Sequence, residues 1–191
     1  MWKEFKKIDR YLSVVKEENK RMQDQVENIL KISQLERDKN ISDMRNENLH
    51  SIISNAINHF SLIVKSKKGS IRTNLNAENT ICSIVKIDFT NALINIIDNG
   101  IKYGEKVNIE LIKSSNNLFI KIEDDGPGID EKEYDNVFKP FYKIDKGRAD
   151  SKSSVGLGLS IASDIIRSHG GNIKLEKSNM NGLSVKIFLP V

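Results

Sequence analysis

Cysteine is nearly missing from this chain of 191 residues: there is one, Cys82. A disulfide within the chain is therefore excluded. Cys82 sits in an apolar alternating run and reads as a small buried residue of a reduced, cytoplasmic protein. Histidine is almost as rare, and His50, His59 and His169 make no metal-ligand spacing. No run approaches the roughly 20 apolar residues of a membrane span, and no signal peptide is recognisable. The chain is expected to be soluble and without a membrane segment, any anchor of a parent protein lying outside it. Blocks of one charge sign are missing too. The net charge is +4, with lysines singly or in pairs among glutamates. That pattern reads as solvated faces and gives no case for nucleic acid. What remains is 38% hydrophobic and 29% charged, enough for one compact domain plus an appendage.

Residues 3–38 are polar but periodic. Ile8, Val15, Met22 and Ile29 recur every seven residues, interrupted by Glu18, Asn19 and Gln25, the mark of a long amphipathic helix with a narrow seam suited either to another helix or to lying on its own domain. Residues 36–48 are charged, weakly patterned and read as linker. A second helix is predicted over about 49–65, with Gly69 as its stop. Strands are predicted at 70–75 and 80–86, a helix at 88–103, and strands at 106–113 and 117–123. A helix opening at Gly156-Leu157-Gly158 and strands near Ile173 and Val185 complete the order. Clustered strands with helices between them predict an α+β fold. Its form is a two-layer α/β sandwich, a mixed sheet with helices on one face, preceded by the long N-terminal helix.

The 88–103 helix carries the strongest chemical signal. Asn95, Asn99 and the pair Lys102/Tyr103 share one helical face, while Leu93, Ile94, Ile96, Ile97 and Ile101 fill the others. A buried amide without partners costs about 1–3 kcal/mol. The asparagines therefore belong either to a satisfied core network or to a site for a metal ion and its phosphate. Asp124-x-Gly126-x-Gly128 follows a strand. Its acid can accept from a ligand amine, and its glycines let backbone approach a flat ring; a plain tight turn is the other reading. Gly156-Leu157-Gly158-Leu159 opens a helix whose free amides and dipole favour an anion. Close packing of a helix start explains it equally well. Phe138-x-x-Phe141 precedes a long polar stretch, 145–154, and reads either as the hinge of a moving loop or as ordinary core. Lys139, Lys143, Lys146 and Arg148 are the cations beside it.

In order and spacing, these four motifs resemble the ATP-binding catalytic domain of sensor histidine kinases, within the superfamily that also holds gyrase, Hsp90 and MutL. The resemblance covers about 75–191. The asparagine helix is similar to the N box, Asp124–Gly128 to the G1 box, Phe138–Phe141 to the F box, and Gly156–Leu159 to the G2 box. Gly182-Leu183 is similar to the remnant of a further glycine box. Tyr11–Glu36 resembles, more loosely, the second helix of the dimerisation and phosphotransfer hairpin. The implied division is 1–40 as a partial dimerisation and phosphotransfer helix, 41–48 as linker and 49–191 as the catalytic ATP-binding domain.

The resemblance also implies roles. Asp124 reads the adenine amino group and Tyr103 lines the base pocket, with Gly126, Gly128, Ile129 and Phe141 around the nucleotide. Asn99 offers its amide oxygen to Mg²⁺. Lys102 meets a phosphate, joined by Lys143 or Arg148, and the backbone of Gly156, Leu157, Gly158 and Leu159 cradles the phosphates. Asn95 stands where the related ATPases have a water-activating glutamate. A neutral amide cannot take up that proton, so ATP is expected to survive until a histidine attacks. Asn95 and Lys102 are thus the expected catalytic residues. Two departures stand out. Ser154 replaces the usual first glycine of the G2 box, and none of the three histidines lies in a His-Glu/Asp-x-x-Thr/Asn-Pro setting. The chain therefore resembles a kinase cut between its hairpin helices. Its implied partners are a phosphoacceptor hairpin absent from the chain, a response regulator and a second copy through the N-terminal helix. The competing readings are an anti-sigma-factor-type serine kinase, which the long N-terminal helix argues against, and a non-catalytic ATP-binding interaction module.

Overall fold

The computed structural model describes residues 11–16, 19, 43–66, 69–76, 80–113, 118–144 and 155–190. The chain divides into two units, Met1–Lys39 and Asn40–Val191. In the first, residues 11–16 are helical and expose Tyr11, Leu12, Val14 and Val15. Of the predicted seam, Ile8, Met22 and Ile29 lie outside the described residues.

The second unit runs β1 (Arg45–Asn48), α1 (Leu49–Asn58), α2 (Ser61–Ser66), β2 (Ser70–Leu75), β3 (Ile81–Ile84), α3 (Lys86–Tyr103), β4 (Lys106–Lys113) and β5 (Leu118–Asp124). Two single 3-10 turns follow, Glu131–Glu133 and Asn136–Phe138, and then α4 (Gly158–Ser168), β6 (Asn172–Lys177) and β7 (Leu183–Leu189). Five strands form one sheet in the order β2-β4-β5-β7-β6. β2 runs parallel to β4, and the remaining pairs are antiparallel. Alternation builds the layer. Val107, Ile109 and Leu111 of β4 are buried, while Asn108, Glu110 and Ile112 between them are half-buried. Ile109 stands opposite Ile122 and Leu111 opposite Ile120. The core is completed by Phe89, Ala92, Leu93, Ile96 and Ile97 of α3 and by Ile161, Ala162, Ile165 and Ile166 of α4. Lys121–Glu123 and Lys186–Glu176 pair their charges at 2.8 and 2.6 Å. The architecture is the expected α+β one. Among the described residues no helix is long and apolar enough to cross a membrane.

Three expectations are corrected. Residues 45–48 are not linker: they pair antiparallel with β3, from Arg45 opposite Ile84 to Asn48 opposite Ile81. Four polar residues carry no apolar alternation, so only main-chain pairing reveals the strand. β3 in turn lies outside the five-stranded sheet and is shorter than 80–86. The helix expected over 49–65 breaks at His59–Phe60. Phe60 is 1% exposed and its N–H bonds Ile57 at 2.9 Å, after which α2 turns Leu62 outward, 78% exposed.

His169 ties the two long helices together. It follows α4, is buried, and packs edge-on to Phe89 of α3. The Val85 N–H donates to its Nε2 at 2.9 Å, so Nδ1 carries the proton and donates to the Ile165 carbonyl at 2.7 Å. The imidazole is neutral in this arrangement, and both its nitrogens are engaged.

Candidate functional site

α3 sets the frame. Asn95 and Asn99 are half-buried and one turn apart. Neither side chain makes a hydrogen bond among the described residues, and neither amide is a fully enclosed atom lacking a partner, so both reach solvent. A satisfied core network is therefore not what these residues form. Lys102 and Tyr103 end the helix, with the Lys102 Nζ 5.6 Å from the centre of the Tyr103 ring and Tyr103 42% exposed.

Asp124 closes β5 and is 9% exposed. Its Oδ1 accepts from the Gly126 N–H at 2.9 Å and the Leu183 N–H at 3.1 Å. Its Oδ2 accepts no hydrogen bond among the described residues. Burial pushes its carboxyl above the ordinary 3.8; the two amides oppose that and neighbouring Asp125 adds to it. Asp125 serves the chain itself, accepting from Glu105 N–H and Lys106 N–H at 2.8 Å each.

Close approaches draw these residues together. A methyl group on Gly100 would lie 3.6 Å from the Asp124 Cβ, and one on Gly126 would lie 2.8 Å from the Tyr103 carbonyl. One on Gly182 would overlap both the carboxylate and the carbonyl of Asp124, so only glycine fits there. One on Gly158 would lie 3.8 Å from Asn95. Gly158 begins α4, and no side chain caps that helix. Among the described residues its first amides meet no acceptor, the arrangement an anion site requires.

The other expected residues are distributed unevenly. Gly128 (φ 64°) and half-buried Ile129 follow Asp124 in the G1 segment. Leu157 is 2% exposed, so its side chain belongs to the core and only its backbone can serve a ligand. Leu159 is half-buried and Lys143 exposed. Arg148 lies outside the described residues. Phe138 is half-buried and Phe141 59% exposed, so Phe141 is not core. A cavity of about 620 Å³ opens at the end of α3. Its lining includes Lys102 and Tyr103 but neither asparagine nor Asp124. Sequence reading marked Gly182-Leu183 as a glycine-box remnant but missed the Leu183 N–H as a partner of Asp124, a main-chain role that residue type does not show.

The fold and the convergence on α3 define an α+β domain of the ATPase class. Residues 84–191 match the Histidine kinase-, DNA gyrase B-, and HSP90-like ATPase family, and the chain belongs to it. It is an ATP-binding domain of the histidine kinase kind. The chain is 32% identical over 183 residues to Sensor protein RprX of Bacteroides fragilis, covering 93% of this chain and 35% of that protein. The catalytic domain of histidine kinase ThkA superposes with a TM-score of 0.67 at 25% identity, covering 78% of this chain and 95% of that one. Full-length ShkA in complex with AMPPNP gives 0.80 at 16% identity, over 94% and 38% of the two chains, a likeness of fold. The chain spans about a third of the length of the curated relatives it matches.

Proposed function

We propose that this chain carries the ATP-binding catalytic domain of a two-component sensor histidine kinase, which passes the γ-phosphate of ATP to a histidine on a phosphotransfer hairpin for delivery to a response regulator. The observation that carries the reading is the single line of approaches along α3. Gly158 lies beside Asn95, Gly100 beside Asp124, and Gly126 beside the Tyr103 carbonyl. Along it, the unoccupied lone pairs of Asp124 Oδ2 suit an exocyclic amine, and Tyr103 offers a face to the base. The orphan amides of α4 suit phosphate, with Lys102 and Lys143 as cations. Asn95 offers no carboxylate to take a proton from water, so bound ATP is preserved. Phosphoryl transfer then asks the protein chiefly for positioning and charge stabilisation.

The donor set suits Mg²⁺. The described residues hold no group of three or more His, Cys, Asp or Glu fit for a metal. Mg²⁺ commonly takes one or two protein oxygens and completes its shell with water and substrate phosphates. The Asn99 amide oxygen, with Asn95 beside it, is the protein's offer. When bound, the ion neutralises phosphate charge. His169 is no acceptor, being buried with both nitrogens engaged. Residues 1–40 are proposed as the dimerising helix, on their seven-residue repeat and on the kinase names of the relatives.

Titration calorimetry with a non-hydrolysable ATP analogue tests the site. Asn99→Ala should abolish the Mg²⁺-dependent part of binding, and Asp124→Ala should weaken binding about tenfold or more, as for a charge-assisted hydrogen bond. Unchanged affinity in both variants would refute the site. Labelled ATP with an added acceptor hairpin should give acid-labile phosphate on the hairpin. Acid-stable phosphate would point to a serine kinase, and no transfer to a non-catalytic module.

A further inference from the structure

Phe141 has a left-handed backbone, φ 65°, uncommon for a residue with a side chain. Such a conformation persists only where its surroundings over-determine it. Two anchors do so. On one side the Phe141 N–H donates to the Gly156 carbonyl at 2.9 Å. Gly156, at φ 79°, lies so close that a methyl group there would stand 2.5 Å from the Tyr142 carbonyl. On the other side the Tyr142 hydroxyl donates to Glu133 Oε2. Asn136 Nδ2 donates to the same oxygen at 3.3 Å, and Lys139 Nζ donates to Asn136 Oδ1 at 2.7 Å. Glu133 is itself held by the 3-10 turn that Asp130 caps through the Lys132 N–H. Donation to Glu133 also pushes the Tyr142 hydroxyl above its ordinary 10.0.

Glu133, Tyr142, Phe141 and Gly156 are thus linked in one clasp whose last member is two residues before Gly158. There α4 begins, uncapped, beside Asn95. Among the described residues the hydroxyl bonds Glu133, and the backbone it fixes is what Gly156 rests on.

We propose that Tyr142 is a positioning residue: latched to Glu133, it seats the Phe141–Tyr142 backbone under Gly156 and so sets the start of α4 for the outer phosphates of the nucleotide. This rests on the nucleotide reading given above. It makes the latch matter for a triphosphate and not for the base end, where Asp124 and Tyr103 lie.

The test uses the full chain with Mg²⁺, measuring AMPPNP by calorimetry and AMP by an NMR titration. Tyr142→Phe keeps the ring and loses the donor. It should weaken AMPPNP about three- to tenfold, the worth of one hydrogen bond, and leave AMP unchanged. Glu133→Ala should do the same, and the double variant should be no weaker than either single one. Glu133→Gln keeps an acceptor oxygen and should fall between wild type and Glu133→Ala. Equal weakening of both ligands, additive losses in the double variant, or unchanged AMPPNP affinity in a Tyr142→Phe protein with a cooperative melt would each overturn the latch while wild-type binding still stands. Wild-type protein that binds neither nucleotide would overturn the nucleotide reading and the latch with it.

Discussion

Asp124 owes its setting to main-chain groups: two amides hold one oxygen, and Gly100, Gly126 and Gly182 leave room around it. Burial raises its folded-state pKa above 3.8, the value it keeps when unfolded. Between those two values the native state binds more protons than the unfolded chain. The stabilisation from its protonated form is therefore complete below the unfolded pKa and is lost as the pH rises through the folded one. Asp124→Asn should remove that loss, because an amide stays neutral throughout. The urea midpoint of the Asp124→Asn variant should gain on that of the wild type as the pH rises from below 3.8 through the folded-state pKa. A gap that stays constant with pH would contradict this. At this scale the side chains were readable and their supports were not. Asp124, Asn95 and Asn99 show themselves through type and spacing. Leu183 works through an amide that nearly every residue has, and Tyr142 works through a partner nine positions away that no periodicity marks.

Asn48 shows how one residue can end one element and start another. Its backbone pairs with Ile81 at the close of β1, and its Oδ1 caps α1, accepting from the His50 N–H at 2.9 Å and the Ser51 N–H at 3.4 Å. Asn48→Ala should cost about 1 kcal/mol in urea unfolding, with Asn48→Asp restoring most of it. Equal losses from both substitutions would show that the cap is not the cause. Elements with a buried stripe were legible from their period: α1, α3, α4 and the strands β4 to β7. β1 was not, because its residues are polar and its pairing is all main chain. The break after α1 was hidden for another reason. Apolar spacing runs on through Phe60 to Ile63, yet Leu62 and Ile63 are 78% and 40% exposed, so the pattern outlasts the helix that would use it.

The family match begins at residue 84, inside β3, and leaves out β1, α1, α2 and β2. The molecule does not divide there. Leu49, Ile52, Ile53 and Ala56 are 0% exposed and Phe60 1%, and burying each larger side chain is worth about 1.5–3 kcal/mol. Their sum rivals the roughly 5–15 kcal/mol that holds a domain together. A fragment of residues 43–191 should therefore melt cooperatively, whereas 84–191 alone should show no cooperative transition by circular dichroism. Cooperative melting of the shorter piece would mean the N-terminal elements are ornament. The buried imidazole of His169 has a mechanical consequence for the whole. Fastened to Val85 at one end and with Gly158 beside Asn95 at the other, α3 and α4 pack side by side along their length, and the imidazole pins the end away from Asn95. An anion held at the start of α4 would lie about 15 Å from that pin, by helical rise at roughly 1.5 Å for each residue between Val85 and Asn95.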